Sequence, residues 1–230
     1  MLHAMPKYLL IYEKNESVRW LGHLDILRAF ERAVRRAALP IAFSNGFNPR
    51  ERIAFASALS TGITGGEERA MLELTEVLPP DEISLRLNAT LPPGIRIGPC
   101  REITDIEAKE MLSGYDRGVY EMVCSLPEGA TIAQAETAVS ELLALPAIIL
   151  TRERLTKSKT VDIRPNLYAL SVRPHPAMES RCVVTAIAGQ GEGGTARPNE
   201  IVEALTERLP GLTLRRIHRA KLIHRGETIF

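Results

Sequence analysis

At 230 residues the chain has room for one large domain or two of about 100 residues each. Its 45% hydrophobic and 25% charged content is that of an ordinary globular protein. A net charge of +1 excludes a uniformly basic nucleic-acid binder, so any basic surface has to be local. The three cysteines, Cys100, Cys124 and Cys182, are widely spaced and form no CxxC pair. That argues against a disulfide framework, a structural zinc site or an iron–sulfur cluster built from this chain alone. No run approaches the roughly 18 apolar residues of a membrane span. The expectation is a soluble, cytoplasmic protein with no cofactor and no membrane partner.

Lys7–Lys14 (KYLLIYEK) reads as a first strand, which Val18–Leu21 could extend after a turn at Asn15–Glu16. Gly22 then opens a helix whose Leu24, Leu27, Phe30, Val34 and Ala37 recur at spacings of three and four, one apolar stripe. Leu39–Pro40 ends it. Ile41–Ser44 reads as a brief second strand, followed by the turn dipeptides Asn45–Gly46 and Asn48–Pro49. Arg52–Ala58 and Ala70–Val77 read as strands bracketing a loop rich in glycine, threonine and serine. Pro79–Pro80 starts a helix in which Asp81 and Glu82 suit the positive N-terminal end and Ile83, Leu85 and Leu87 supply apolar contact. Pro92–Pro93–Gly94 stops it before a strand at Ile95–Ile103.

After a polar joint at Thr104–Arg117 the order recurs. Val119–Leu126 is a strand, Ile132–Leu143 a helix, Ala147–Arg152 a strand, and Leu167–Arg173 with Arg181–Ala188 a hairpin pair. Ile201–Leu209 is a helix behind the Pro198 start signal, and Leu212–His224 is a long final strand. The predicted class is α+β: two tandem ferredoxin-like βαββαβ units with antiparallel sheets, residues 1–104 and 105–230, the second carrying an inserted basic arm at Arg154–Asn166.

Charge is segregated along the chain. From Arg19 to Arg52 seven arginines stand against Asp25, Glu31 and Glu51, and from Arg208 to Arg225 five arginines and Lys221 face no acid. Arg28, Arg32, Arg35 and Arg36 form a basic ridge that matches phosphates at steps of about 5–6 Å along a helix, or else a solvated outer face with Glu31 as partner. Ser44, Asn45, Phe47 and Asn48 belong to a loop, SNGFNP, that can offer backbone amides to an anion and stack Phe47 on a base; the same ring can instead plug the core under the loop. In the arm, Asp162 is placed to orient Arg164, which Pro165 holds extended, or a neighbour of it. Alternation puts Arg215, Arg219 and Lys221 on one face of the last strand, as a phosphate track or as charges that discourage sheet-to-sheet pairing. His23 and Asp25, in the first turn of the first helix, are the candidate acid–base pair. The alternative is that Asp25 satisfies the helix N-terminus and His23 packs there.

Six short motifs occur in order: HLD at His23–Asp25, ERAVRRA at Glu31–Ala37, SNGFNP at Ser44–Pro49, FAS at Phe55–Ser57, DIRP at Asp162–Pro165 and RPNE at Arg197–Glu200. On these the chain resembles the radical-SAM-linked family of domains of unknown function, over nearly all of its length. It departs from the family pattern at Gly22, where the family has serine, and at Arg50–Glu51, where it has Pro-His. The resemblance implies a separate radical SAM enzyme as partner and a setting in RNA or ribosome biology. The expected function is a non-catalytic accessory that binds RNA, or presents an RNA or ribosomal substrate, through a basic face, with no DNA partner. A metal-independent RNA-processing endonuclease using His23 and a module that binds only protein are the alternatives.

Overall fold

The computed structural model describes residues 5–154, 157–191 and 193–228, and among these it contains five α-helices and mostly antiparallel strand pairs. Two compact units divide after Tyr115: the chain up to that residue, with Thr228, and Asp116–Glu227. No helix is long and apolar enough to cross a membrane among the described residues.

In the first unit β1 (Lys7–Lys14) alternates strictly, with Tyr8, Leu10, Tyr12 and Lys14 buried and the residues between them more open. It pairs antiparallel with β3 (Ile63–Glu73) on one side and β4 (Ile95–Ile103) on the other, and β2 (Ile53–Phe55) adds to the far side of β3. The order is therefore β4-β1-β3-β2. Helices α1 (His23–Arg36) and α2 (Pro80–Asn88) cover one face, with Ile26, Phe30, Ala33 and Val34 of α1 and Ile83 and Leu87 of α2 packed on Tyr8, Leu10, Leu72 and Ile97. The rings of Tyr12, Phe30 and Phe55 meet edge to face at 5.2–5.9 Å. On the other face α3 (Asp105–Ser113) packs Ala108 and Met111 on Met71, Ile103 and Leu9.

The second unit repeats the plan. β5 (Tyr115–Ser125) is followed by α4 (Ile132–Ala144), the hairpin β6 (Ile149–Arg154) and β7 (Lys157–Asp162), the pair β8 (Leu167–Pro174) and β9 (Arg181–Gly189), α5 (Pro198–Thr206) and β10 (Thr213–His224). Its main strands run in the order β10-β5-β9-β8, and α4 and α5 bury Ala138, Leu142, Ile201 and Leu205 against Met122, Val184 and Ala186. Cys124 and Cys182 are register partners across β5 and β9, both fully buried.

Several expectations change. Val18–Leu21 does not extend β1; Glu16–Val18 is a 3-10 turn capped by the Asn15 side chain. The buried stripe of α1 is rotated from the expected one, because Leu24 is 63% exposed while Ile26, Ala29 and Ala33 face the sheet. Leu85 of α2 likewise points outward. Ile41–Ser44 forms only isolated bridges, Ile41 to Leu74 and Phe43 to Glu51. β3 begins at Ile63, inside the segment expected to be a loop, since pairing with β1 overrides the weak strand preference of Gly65, Gly66, Glu67 and Glu68. The joint at Thr104–Arg117 contains α3, started by a capping box in which the Thr104 hydroxyl accepts from the Glu107 N–H at 3.3 Å and the Glu107 carboxylate accepts from the Thr104 N–H at 2.8 Å. The basic arm, Arg154–Asn166, holds the end of β6, all of β7 and a 3-10 turn at Arg164–Asn166, so Arg164 is not held extended; Leu155 and Thr156 lie outside the described residues.

The hairpin is fixed by a pair its sequence did not advertise. Arg152 donates to both oxygens of Glu200 at 2.7 and 2.8 Å and to the Thr195 carbonyl at 2.7 Å. Burial pushes the Glu200 carboxyl up, but the Arg152 hydrogen bonds and the Arg197 N–H outweigh it and hold the group below the usual carboxylate range. A depressed carboxylate contributes stability at neutral pH that disappears as the pH falls through its folded-state pKa. Arg152→Ala should therefore cost about 3 kcal/mol in urea unfolding, the penalty of stranding a buried charge. Acid unfolding of this variant should begin at higher pH than in the wild type. Burial also pushes the Cys100 thiol up to about 11. Alkylation of Cys100 by iodoacetamide, followed by mass spectrometry, should be slow at pH 8 and rise about tenfold per pH unit up to that value.

Candidate nucleic-acid interface

The first helix starts at Gly22, whose extended backbone (φ −79°, ψ 176°) places its N–H 3.0 Å from the Asp25 carboxylate. Asp25 is thus an N-terminal cap, with Arg28 3.9 Å away as a second partner. His23 turns its ring edge-on to Phe55 at 5.4 Å, joining the aromatic cluster rather than a carboxylate. The two residues read as an acid–base pair have separate structural employment. Among the described residues no three His, Cys, Asp or Glu side chains converge to hold a metal ion.

Along the outer face of α1, Arg28, Arg32, Arg35 and Arg36 are exposed. Arg35 is committed, because its guanidinium pairs with Glu51, whose side chain is only 3% exposed. Glu51 thereby ties the helix to the segment after SNGFNP. Arg32 and Arg36 make no ion pair among the described residues, and Arg28 and Arg36, eight positions apart, sit about 12 Å apart along the axis.

The loop beside this ridge is laddered at its base and open at its tip. The Ser44 N–H donates to the Arg50 carbonyl at 2.8 Å, the Arg50 N–H returns to the Ser44 hydroxyl at 3.0 Å, and Arg52 N–H reaches the Ala42 carbonyl at 2.8 Å. Arg52 also holds the Phe43 carbonyl at 3.3 Å and the Glu73 carboxylate at 2.9 Å. Above these bonds Asn45, Gly46, Phe47 and Asn48 all stand in solvent. Gly46 has φ 135°, a backbone that a side chain would strain, and nothing lies within 4 Å of where its Cβ would be. Phe47 does not plug the core: its relative exposure is 105%, and Phe43 at the base is also exposed. The whole Phe47 ring is thus open to contact from solvent.

Residues expected in the second unit divide differently. The Asp162 carboxylate accepts from the Ile148 N–H at 2.8 Å and the Arg164 N–H at 3.0 Å. Arg164 donates to the carbonyls of Leu143, Leu145 and Leu167 at 3.0–3.2 Å, so it caps the C-terminal end of α4 instead of meeting a phosphate. Arg219 is 1% exposed and donates to Gln190 at 2.9 Å. Arg215, bonded to the Ser125 hydroxyl at 2.9 Å, and Lys221, paired with Glu227 at 3.2 Å, remain at the surface. The structure therefore leaves Arg28, Arg32, Arg36, Asn45, Phe47 and Asn48 exposed in the first unit and takes Arg164 and Arg219 into its scaffolding.

One surface residue escaped the sequence reading. Trp20 is 66% exposed, with the Arg19 guanidinium 4.5 Å above its ring and the Cβ position of Gly62 (φ 85°) 3.3 Å from it. Its signal was present in Arg19–Trp20 lying just outside the apolar periodicity of α1.

No curated protein is similar in sequence. Among solved structures, the chain is similar to a chain of a Cbf5-Nop10-Gar1 complex (TM-score 0.57, 10% identity, 94% of this chain and 48% of that one). It is also similar to a chain of an H/ACA RNP bound to a substrate RNA containing 2′-deoxyuridine (TM-score 0.52, 9% identity, 94% and 47%). The chain thus spans about half the length of these structures, and at such identities the likeness is one of fold. Residues 7–198 match a family model described as an uncharacterized protein conserved in bacteria (DUF2344), and the chain belongs to that family.

Proposed function

We propose that the chain is a non-catalytic RNA-binding accessory whose first unit carries the contact surface. Arg28, Arg32 and Arg36 hold successive phosphates, the tip of the Ser44–Pro49 loop meets the bases, and Phe47 stacks on one of them. The observation that carries this reading is the full exposure of Phe47 on a loop whose base is rigidly bonded. Base–aromatic stacking beside arginine is a recurring means of holding single-stranded RNA. The strand orders β4-β1-β3-β2 and β10-β5-β9-β8 support reading each unit as ferredoxin-like. The fold likeness to chains of two ribonucleoprotein complexes agrees with an RNA partner. A separate radical SAM enzyme enters through the sequence resemblance, as the enzyme to which bound RNA is presented.

Fluorescence anisotropy with a labelled single-stranded RNA across a salt series tests the reading. Three phosphate contacts give a log–log slope near −2, at about −0.7 per contact for single strands. Phe47→Ala should weaken binding by about 1–3 kcal/mol. Arg28→Glu with Arg32→Glu should weaken it further and flatten the slope, while His23→Ala leaves the affinity unchanged if folding is intact. Absence of binding at low salt, or wild-type affinity in Phe47→Ala, would sink the proposal.

A further inference from the structure

β1 is flanked by bulges on both sides at one level of the sheet. Against β4, Leu10 pairs with Cys100 and Tyr12 with Ile97, so Gly98 and Pro99 together oppose Ile11. Against β3, Tyr12 pairs with Glu68 and Lys14 with Gly65, so Gly66 and Glu67 together oppose Glu13. A bulge leaves its extra residue out of the ladder and re-aims the neighbouring side chains, and such features concentrate beside functional sites. Two of them around one strand line a groove of about 440 Å³ that reaches from Ile11 and Glu13 to Arg69 and Arg96. Its volume lies in the range of small-molecule sites. α3 covers the other end of the same face over Leu9 and Met71.

The lining is unusual in its balance. Ile11 supplies an apolar floor, Glu13 and Glu67 two carboxylates, and Arg69 and Arg96 two guanidinia. Arg69 lies over the Tyr115 ring at 4.7 Å and donates to the Glu67 carbonyl at 3.3 Å, so its plane is held in place. Glu13 and Arg96 are register partners across β1 and β4. A site with no net charge does not select an anion. It selects a flat, neutral group that presents paired donors to a carboxylate and paired acceptors to a guanidinium. Among the nucleobases guanine meets both demands, with N1–H and N2–H along one edge and O6 and N7 along another. Adenine, cytosine and uracil lack one or both pairs.

We infer that the double-bulge groove of the first unit binds a guanine base. The groove is separate from the Phe47 surface and does not depend on it. The base can arrive in a free nucleotide or in a single strand, and the two sources are distinguished by titration of the full chain.

Isothermal titration with guanosine 5′-monophosphate should give saturable binding, with adenosine 5′-monophosphate at least tenfold weaker. Glu67→Gln and Glu13→Gln, at exposed positions and checked for folding by circular dichroism, should each weaken the guanine nucleotide at least tenfold, and Arg96→Gln should do the same. A uridine oligonucleotide with one central guanosine that binds tighter than the all-uridine oligonucleotide of the same length, the gain being lost in Glu67→Gln, assigns the source as a single strand; equal binding of the two oligonucleotides assigns it as the free nucleotide. No binding of the guanine nucleotide, equal binding of the adenine nucleotide, or wild-type affinity in the three glutamine variants overturns the inference, whatever the outcome at Phe47.

Discussion

The alternation of β1 is the constraint on which the first unit depends. One set of its side chains, Tyr8, Leu10 and Tyr12, enters the layer under α1 and α2, and the set between them, Leu9, Ile11 and Glu13, faces the opposite way. A one-residue slip would exchange the two faces. Neighbours on both sides hold the register, and the places where they depart from it are the bulges opposite Ile11 and Glu13. Lys14, at the end of the buried set, donates to the carbonyls of Arg19 and Leu21 at 3.0 and 2.7 Å. That fixes the turn presenting Trp20 and leading into α1. Strand, turn and helix are thereby one connected object, and the arginine ridge inherits its orientation from β1.

A second tier of order comes from capping. Gly22–Asp25, Thr104–Glu107, Thr131–Gln134 and Arg197–Glu200 each close a helix N-terminus, and Arg164 closes the C-terminal end of α4. HLD, DIRP and RPNE, three of the motifs that carry the family resemblance, hold such capping residues. In each of them the spacing between the paired residues is the one a cap needs. SNGFNP is different, since its tip residues do nothing for the fold.

Two runs were legible as strands: β1 and β4 begin and end where Lys7–Lys14 and Ile95–Ile103 put them, whereas Ala70–Val77, which alternates in sequence, is strand only as far as Glu73. The first half of β3 was not, because Gly65–Glu68 is a strand only by virtue of its partner. Helix α3 was missed although Thr104 and Glu107 carry a capping box, for its Ile106 and Leu112 point outward and blur the period. Charge clusters told where arginines concentrate but not which are spent internally. Arg28 and Arg164 look alike in sequence; only the carbonyls of Leu143 and Leu145 make the second structural. Phe47 was ambiguous for the same reason, as burial belongs to the fold and not to the residue.

The laddered base of the Ser44–Arg50 loop separates two jobs that loops usually mix. Stability resides in Ser44, Arg50, Arg52 and the Arg35–Glu51 pair, whereas the four residues above them touch nothing that the unit needs. Changes at the tip should therefore leave folding intact, because the bonds that hold the loop lie below it. In the laboratory the same separation makes residues 45–48 a graftable cassette, with Gly46 kept for its backbone and the rest open to randomisation.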